Sequence, residues 1–450
     1  MKPRSSLKIS VSGVRGVVGE SLTPQIAATF AQAFGSYVGG GMIVVGRDTR
    51  PTGLMLQQAV TAGLISVGCE VVEVGICPTP TILFLVKQLG ANGGVAITAS
   101  HNPAEWNAMK FIGAGGLFLN AQQATEMLDV YHQSDFRLVP ESRLHPPRTE
   151  QDPVAAHLEK IRSLTDVAAI RRRALRVVLD ACNGAAAPFD AEFLESFGCE
   201  VTLIHSEPTG IFARGPEPVP QNLGELCDRV KRERADIGFA QDPDGDRLAI
   251  VDEQGRPIGE DYTLAFAARH VLARRKGKVV VNLSTSRVVE DVARAAGCEV
   301  LLTKVGEINV TQELLDCGGV IAGEGSGGVI WPEVHPCRDS FSAMALVMAL
   351  LAESGKTVSQ LVADLPRYEI VKDKVSASAE EGRQMLLLVR EKCTGKRINL
   401  VDGVRIDFER SWVNLRPSNT EPIVRIVAEA PTREEAAKLV AEFKALCQRA

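Results

Sequence analysis

The tetrapeptide Gly-Cys-Glu-Val occurs three times in the chain, beginning at Gly68, Gly198 and Gly297. Each copy follows a stretch with helical character and precedes an apolar run, and a strand rich in β-branched residues lies upstream of each copy. Because glycine commonly ends helices, the repeat predicts strand, helix and strand joined by a right-handed crossover. We therefore predict an α/β fold with three related domains and mostly parallel sheets.

The last part of the chain follows another pattern, beginning at about Tyr368. A hairpin is indicated at residues 401–404, and Thr432 begins a capping-box sequence for a final helix. A chain of 450 residues is too long for one hydrophobic core, and turn-forming residues separate its periodic segments. We therefore expect four domains around a central cleft. They are three α/β domains over residues 1–147, 148–253 and 254–366, and an α+β domain over residues 367–450.

The balance of charges gives no general attraction to polyanions. With 50 basic and 55 acidic residues, the formal net charge is −5. The chain therefore lacks the basic excess that is typical of proteins that bind nucleic acid or anionic membranes. The first residues lack the apolar segment of a secretory signal, and the longest apolar helix candidate, residues 341–352, is too short to cross a bilayer. We expect a cytoplasmic protein that binds neither nucleic acid nor membrane. The sequence does not indicate its oligomeric state.

A polar loop follows the third strand of each repeat. The carboxyl ends of parallel strands meet at one edge of a sheet, where ligands bind in α/β proteins. We interpret the loops as parts of one site in a shared cleft, and the alternative is that they merely close strands in three independent domains. The loops span residues 98–103, 242–247 and 323–328.

In the second loop, Asp242, Asp244 and Asp246 alternate with a proline and a glycine that enforce a turn. Three carboxylates directed to one point offer hard oxygen ligands for Mg²⁺ and leave room for a phosphate oxygen. An EF-hand loop also begins with alternating aspartates, but Arg247 stands where that motif needs a glycine. A solvated acidic turn is the remaining alternative.

Ser100 in the first loop is the candidate nucleophile. We interpret its hydroxyl as the carrier of a phosphoryl group, which the metal joins to the aspartates so that developing charge is neutralised. His101 and Asn102 would then shape the loop and donate hydrogen bonds. A histidine adjacent in sequence does not make a hydrolase triad, and no nucleophile-elbow sequence surrounds Ser326. A turn without a catalytic role stays open as the alternative.

The third loop carries glycine at all three positions of the Gly-x-Gly-x-x-Gly pattern. Dinucleotide binding would require a helix to begin directly afterwards, whereas Trp331 and Pro332 follow the loop. We therefore expect Glu324 and Ser326 to hydrogen-bond the hydroxyls of a sugar.

Basic residues near the loops predict a site for phosphate. Residues 416–422 combine arginine, hydroxyls and backbone amides in a turn, with Arg425 shortly after, and these are the components of a phosphate-binding nest. A polar hairpin turn with surface arginines is the alternative. Lys110 and Arg15 also lie near the expected loops. A lysine in such a place can act as the acid/base, although a solvated lysine is the commoner case.

The segments Thr98–Pro103, Asp242–Arg247 and Arg416–Pro422 resemble the α-D-phosphohexomutase family, and the resemblance covers nearly the whole chain. It implies isomerisation between hexose 6-phosphate and hexose 1-phosphate through a phosphoserine at Ser100 and a hexose 1,6-bisphosphate, with Mg²⁺ as cofactor. Combined with the residue-based interpretation, it defines the candidate site. The residues are Ser100, Asp242, Asp244 and Asp246 for the metal, Ser100, His101, Lys110, Arg247 and Arg15 for catalysis, and Glu324, Ser326, Arg416, Ser418, Asn419, Thr420 and Arg425 for the substrate.

One position departs from the family pattern. Many members have Ser-Gly-His in the sugar loop where this chain has Ser326, Gly327 and Gly328, so the identity of the acid/base and the sugar preference stay open. The resemblance favours the archaeal-type phosphoglucosamine mutase branch, with phosphomannomutase/phosphoglucomutase as the alternative. A metal-dependent sugar phosphatase and a non-catalytic sugar-phosphate sensor are more distant alternatives.

Overall fold

The three sequence repeats fold into sheets that share one strand order. The structure is a computed structural model that describes residues 7–11, 13–418 and 422–448. In each repeat, the strand that follows the Gly-Cys-Glu-Val glycine pairs in parallel with the first strand on one side, and the third strand does so on the other. A fourth strand then runs antiparallel beside the third. The predicted α/β class is confirmed, with mixed sheets.

The first α/β domain contains a seven-stranded sheet. Its strands are β1 (Lys8–Ser10), β2 (Gly13–Val17), β3 (Gly41–Arg47), β4 (Cys69–Ile76), β5 (Gly93–Ile97), β6 (Trp106–Gly113) and β7 (Arg148–Thr149), in the spatial order β1-β2-β6-β5-β3-β4-β7. Its helices are α1 (Pro24–Tyr37), α2 (Gly53–Ser66), α3 (Thr79–Gln88) and α4 (Ala121–Gln133). Strand β7 lies beyond the expected boundary at residue 147 and still adds to the first sheet, parallel to β4.

The second and third domains each contain a four-stranded sheet. The second has helices α5 (Ala155–Ser163), α6 (Val167–Arg173), α7 (Ala187–Ser196) and α8 (Gly224–Glu233), and strands β8 (Arg176–Asp180), β9 (Glu200–Ile204), β10 (Ile237–Gln241) and β11 (Leu248–Asp252) in the order β11-β10-β8-β9. The third has strands β12 (Val279–Asn282), β13 (Val300–Thr303), β14 (Ile321–Glu324) and β15 (Gly328–Ile330) in the order β13-β12-β14-β15. Its helices are α9 (Asp261–Arg274), α10 (Arg287–Ala295), α11 (Glu307–Cys317), α12 (Ser340–Ser354) and α13 (Val358–Ala363).

The C-terminal domain has an antiparallel sheet with two helices, as its different sequence pattern predicted. The strands are β16 (Glu369–Ser376), β17 (Arg397–Asn399), β18 (Val404–Asp407), β19 (Trp412–Pro417) and β20 (Ile423–Ala430), in the order β16-β20-β19-β18-β17, and the helices are α14 (Ala379–Lys392) and α15 (Arg433–Cys447). Thr432 caps α15 through the predicted capping box. The predicted hairpin joins β17 to β18.

Apolar side chains from each of the three α/β domains join in one shared buried core, each of these domains also has a further apolar cluster of its own, and the C-terminal domain has a separate core. Helix α12 lies within the shared core and contacts α5, α6 and α9. Its residues 340–351 are all buried, as expected for a helix that is apolar on every face. No helix among the described residues is long and apolar enough to cross a membrane. The shared core therefore sets the positions of the first three polar loops relative to one another.

Candidate active site

Ser100 lies just beyond the carboxyl end of β5 in a left-handed backbone conformation, with a φ of 49°. Few residues other than glycine adopt this conformation, so surrounding contacts must hold it. The Ser100 amide donates to the Thr98 hydroxyl at 2.9 Å, and that hydroxyl donates to Asp48 at 2.7 Å. Ser100 itself is buried. A polar network inside the protein thus fixes the serine.

A completely buried arginine holds the backbone of the loop at residues 98–103, which we call the serine loop. The Arg50 guanidinium donates to the carbonyl oxygens of Ser100 at 2.6 Å, Asn102 at 2.7 Å and Pro103 at 2.8 Å. Its Nε donates to Asp48 at 3.0 Å, so the charge of the arginine is balanced. Sequence reasoning missed this pair. The available signal was that Asp48 and Arg50 follow β3 at the same edge of the sheet as the serine loop.

The second loop, residues 242–247, carries three aspartates that lie close to Ser100, and we call it the acidic loop. One oxygen of each of Asp242, Asp244 and Asp246 lies within 4.8 Å of the others, and all three residues are buried. The Ser100 hydroxyl donates to Oδ2 of Asp242 at 2.9 Å. The Oδ1 atoms of Asp244 and Asp246 are buried without a hydrogen-bond partner among the described residues. Buried oxygens with spare acceptor capacity suit a hard cation, so this group fits a divalent metal ion.

The neighbours of the aspartates affect their protonation differently. Burial, followed by the charges of Asp246 and Asp244, raises the pKa of Asp242 well above its usual value. Burial also opposes ionisation of Asp244, but the Lys110 ammonium lies 2.9 Å from its Oδ2 and lowers the pKa of Asp244. The charges of Arg247 and Arg338 also act on this group, so the three crowded carboxylates are partly balanced by nearby cations.

His101 lies beside the Ser100 hydroxyl, with Nδ1 3.3 Å from Ser100 Oγ. Burial, followed by the positive charge of Arg247, lowers the pKa of His101 to about 3. The imidazole is therefore neutral near pH 7 and can exchange a hydrogen bond with the serine without carrying charge.

Two predicted arginines border the same loops. Arg15 donates from Nη1 to Oδ1 of Asn102 at 2.6 Å. Nε of Arg247 lies 3.7 Å from Asp246, and Nη1 lies 3.4 Å from Glu217. The charges of Asp244 and Arg247 both act on Arg15, which places the two arginines on the same part of the site. The predicted catalytic residues of the first two domains are thus brought together.

Glu324 is the last residue of β14 and lies in the third polar loop, residues 323–328, which we call the sugar loop after its predicted role. Its Oε1 accepts hydrogen bonds from the Asn282 side chain at 2.7 Å and from the Gly306 amide at 2.9 Å. Its Oε2 accepts from Arg338 at 2.8 Å. Ser326 is partly exposed in the turn between β14 and β15. The carboxylate is therefore rigidly oriented, while the serine lies at the surface of the turn.

Arg338 is a charged residue of the site that sequence reasoning missed, and no local motif marks it. Besides Glu324, its guanidinium contacts Asp246 at 2.5 Å and Glu307 at 3.2 Å. The side chain of Arg338 also explains the glycine at position 328. A Cβ there would lie 2.3 Å from Cδ of Arg338.

In the C-terminal domain, Arg416 and Arg425 lie opposite each other in the register of β19 and β20. Arg416 Nη1 is 3.9 Å from Asp402, whose Oδ2 accepts from the Val305 amide of the third domain at 3.0 Å. Burial, opposed by Asp402 and by Glu324 of the sugar loop, lowers the pKa of Arg416. The Arg416 side chain therefore lies beside the part of the C-terminal domain that contacts the third domain. Ser418 directly follows β19, whereas the predicted contacts Asn419 and Thr420 lie outside the described residues.

Four consecutive segments match the domains of one protein family. They are the alpha/beta/alpha domains I, II and III of phosphoglucomutase/phosphomannomutase over residues 7–138, 155–255 and 259–368, and its C-terminal domain over residues 366–446. The chain belongs to the phosphoglucomutase/phosphomannomutase family.

Similar proteins carry names from the same family. A probable phosphoglucosamine mutase of Methanopyrus kandleri is 38% identical, over 97% of each chain. A phosphoglucomutase/phosphomannomutase of Thermococcus kodakarensis is also 38% identical, over 94% of each chain. Among solved structures, a phosphoglucomutase/phosphomannomutase family protein of Burkholderia thailandensis has a TM-score of 0.85 at 28% identity and covers 98% of each chain.

Family membership confirms the resemblance inferred from the three motifs. The chain is a phosphohexomutase, an isomerase that acts on phosphorylated hexoses. In this phosphohexomutase, the polar loops of the α/β domains form one cluster, so the alternative of three independent turns is wrong. The roles of the individual site residues stay predictions.

Proposed function

We propose that Ser100 carries the phosphoryl group in this phosphohexomutase and that glucosamine phosphate is its substrate. The observation that carries the proposal is the 2.9 Å hydrogen bond between Ser100 Oγ and Asp242 Oδ2, which joins the nucleophile to the acidic loop. In the first transfer, the bond from phosphorus to Ser100 Oγ breaks as a bond to a hydroxyl of the hexose phosphate forms. The resulting bisphosphate turns over, and its other phosphoryl group returns to Ser100.

The proposed cofactor is Mg²⁺, held by Asp242, Asp244 and Asp246 together with the oxygen on Ser100. When bound, Mg²⁺ stabilises the negative charge of a phosphoryl group during transfer. The unpartnered oxygens of Asp244 and Asp246 and the crowding that raises the pKa of Asp242 support this ligand set.

Lys110 is the proposed acid/base for the sugar hydroxyl: its neutral amine would accept the hydroxyl proton in the first transfer, and the resulting ammonium would return a proton to the sugar oxygen in the second. Its Nζ lies 2.9 Å from Oδ2 of Asp244, and the residue is buried with the acidic loop. General acid/base groups typically contribute about 10²- to 10⁴-fold to a rate. Lys110→Met should therefore lower kcat by a factor in this range, whereas Lys87→Met, at an exposed position of the same domain, should leave kcat unchanged. Native turnover in Lys110→Met would exclude the role.

Arg15 and Arg247 would bind the phosphoryl group during transfer, because both guanidinium groups border the serine and acidic loops. Arg416, Ser418, Asn419, Thr420 and Arg425 would hold the phosphate that is not reacting. Ser100 can exchange phosphoryl groups with both ends of the hexose only if the sugar binds in two opposite orientations. In each orientation the phosphate that is not reacting must be held, so the same anchor binds it both times. Glu324 and Ser326 would contact the hydroxyls of the sugar.

Glucosamine phosphate is favoured because a relative that spans nearly the whole chain carries the phosphoglucosamine mutase name, and because Gly328 departs from the Ser-Gly-His pattern. A relative of equal identity carries the phosphoglucomutase/phosphomannomutase name, which defines the alternative. The test compares kcat/KM for the 6-phosphates of glucosamine, N-acetylglucosamine, glucose and mannose. A tenfold preference for glucose or mannose would replace the glucosamine proposal with the alternative.

Substitution of Ser100 by alanine tests the central role. We expect loss of isomerisation with unchanged folding, and intact-mass analysis of the native protein should detect one phosphate that Ser100→Ala cannot carry. Appreciable isomerisation by the variant would exclude the role. Net release of inorganic phosphate by the native protein would indicate a phosphatase, and sugar-phosphate binding without turnover would indicate a sensor.

A further inference from the structure

One guanidinium links the acidic loop of the second domain to the sugar loop of the third. Arg338 donates from Nη2 to Oδ2 of Asp246 at 2.5 Å and from Nη1 to Oε2 of Glu324 at 2.8 Å. Its Nε lies 3.2 Å from Oε2 of Glu307. The side chain is 10% exposed. Because Nη1 and Nη2 donate to carboxylates of different loops, the planar fork sets the distance between the two loops.

The backbone of Arg338 is held as firmly as its side chain. Its amide donates to Oε1 of Glu307 at 2.9 Å, and the residue bridges to Ile330 at the end of β15. The next residue, Asp339, accepts hydrogen bonds from the first amides of α12. Arg338 therefore projects from a fixed point between the sugar loop and the shared core.

Gly328 makes room for this arginine. A Cβ at position 328 would lie 2.3 Å from Cδ and 3.0 Å from Cγ of Arg338. Gly328 begins β15 opposite Glu324 and does not have a positive φ, so space rather than backbone conformation excludes a side chain. A side chain at position 328 and the observed position of Arg338 are mutually exclusive.

We propose that Arg338 is a positioning residue for phosphoryl transfer, which it serves by fixing Glu324 relative to Asp246, and that Gly328 is required because the arginine occupies its side-chain space. This inference rests on the proposed function, in which Asp246 binds the metal and Glu324 contacts the hexose. Arg338 acts through these two carboxylates. Its positive charge, 2.5 Å from Oδ2 of Asp246, also repels a cation at the acidic loop, so it should weaken the hold of that loop on a divalent ion.

The first test compares Arg338→Lys with Arg338→Met. A lysine keeps the charge but cannot bond Asp246 and Glu324 with one planar fork. Displacements of about 1 Å can cost roughly 100-fold in rate. We therefore expect kcat/KM to fall at least tenfold in both variants. Recovery of kcat/KM to within twofold of the native value by lysine would show that charge alone suffices and would overturn the positioning role.

Metal binding provides a readout that does not require turnover. Titration with Mn²⁺ in the absence of sugar phosphate, followed by electron paramagnetic resonance, should give at least threefold tighter binding in Arg338→Met, because a positive charge 2.5 Å from Asp246 is removed. Loss of packing alone would not strengthen metal binding. An unchanged or weaker affinity would contradict the proposed opposition between Arg338 and the cation.

The second test introduces Gly328→Ala into the native protein and into the Arg338→Ala variant. The single variant Gly328→Ala keeps every charge of the native site. We expect Gly328→Ala to lower kcat/KM at least tenfold alone but less than twofold when Arg338 is already alanine. Gly115→Ala, where a Cβ has nothing within 4 Å, is the matched control and should have native activity. Equal losses in both backgrounds would overturn the link between the two positions.

These outcomes separate the inference from the proposed function. If native protein binds Mn²⁺ but does not isomerise hexose phosphates, the proposed function is wrong, and so is a positioning role in it. If native protein isomerises hexose phosphates while both Arg338 variants keep native kcat/KM, only the role of Arg338 is wrong.

Discussion

The Arg50 guanidinium donates a hydrogen bond to the carbonyl oxygen of Ser100 at 2.6 Å, entirely inside the protein. Arg50 follows β3 and Ser100 follows β5, so the contact joins neighbouring strand ends of the first sheet. Because Ser100 has a positive φ, its position depends on partners of this kind. The position of the Ser100 backbone therefore depends on a residue 50 positions away in the chain.

Arg50→Lys should impair catalysis although it conserves the charge. Lysine carries its three donors on a single nitrogen and cannot reproduce the planar fork with which Arg50 contacts Asp48 and three carbonyl oxygens. We expect a fall in kcat/KM of roughly 10- to 100-fold, because small displacements of a nucleophile are costly. Steady-state kinetics and a thermal melt check this expectation. Arg143→Lys, at an exposed position, is the control, and native kinetics in Arg50→Lys would contradict the proposed support of the loop.

Arg416→Met should weaken substrate binding at the C-terminal domain. Arg416 lies opposite Arg425 in the register of β19 and β20, and its planar guanidinium is suited to bind a phosphate. A charge-assisted hydrogen bond contributes about 1.5 to 3 kcal/mol, so we expect KM for hexose phosphate to rise roughly 10- to 100-fold. Initial-rate measurements of KM for hexose phosphate test this expectation. Arg410→Met, which is exposed, should keep the native KM, and an unchanged KM in Arg416→Met would exclude the anchor.

Mg²⁺ should stabilise the folded protein against heat. The three aspartates are buried together, and a ligand that binds only the folded state adds about 2.7 kcal/mol of stability at 100 times its Kd. We expect Mg²⁺ added after treatment with EDTA to raise the Tm of the native protein. Asp242→Asn should greatly reduce this response, while the exposed Asp135→Asn should retain it. A full response in Asp242→Asn would place metal binding elsewhere.

Asp190 should make stability depend on pH. It is fully buried in α7, and burial, opposed in part by the Gln241 side chain, raises the pKa of Asp190 to about 7 from 3.8. The folded state thus holds this proton more tightly than the unfolded state, so the group's contribution to stability declines as pH rises from about 4 to 7.

Asp190→Asn removes that titration while keeping the shape of the side chain. We expect its stability relative to the native protein to be about 1 to 2 kcal/mol greater at pH 8 than at pH 5.5, as measured by urea unfolding. The exposed Asp228→Asn should show no such trend. The same difference from the native protein at both pH values would contradict the assigned pKa.

Ligands bind at the carboxyl ends of parallel strands, and this rule predicted much of the candidate site from sequence. Ser100 and the three aspartates stand directly after apolar strands, and the repeat predicted that those strand ends would share one edge. Asp48 and Arg50 satisfy the same rule but lack a motif, so they were missed. Arg338 was missed for another reason. A single arginine in sequence is usually solvated, and only the carboxylates around it distinguish a buried one.

By itself the sequence determined the repeated strand and helix order, the separate C-terminal domain and the chemical types of residue at the strand ends, because these follow from local periodicity and turn chemistry. Tertiary structure decided which groups meet. The 2.9 Å contact of Ser100 with Asp242 spans 142 positions, and the Arg338 bridge joins loops of two domains. Such pairings depend on packing of the shared core, which brings distant strand ends together at distances that no local pattern encodes.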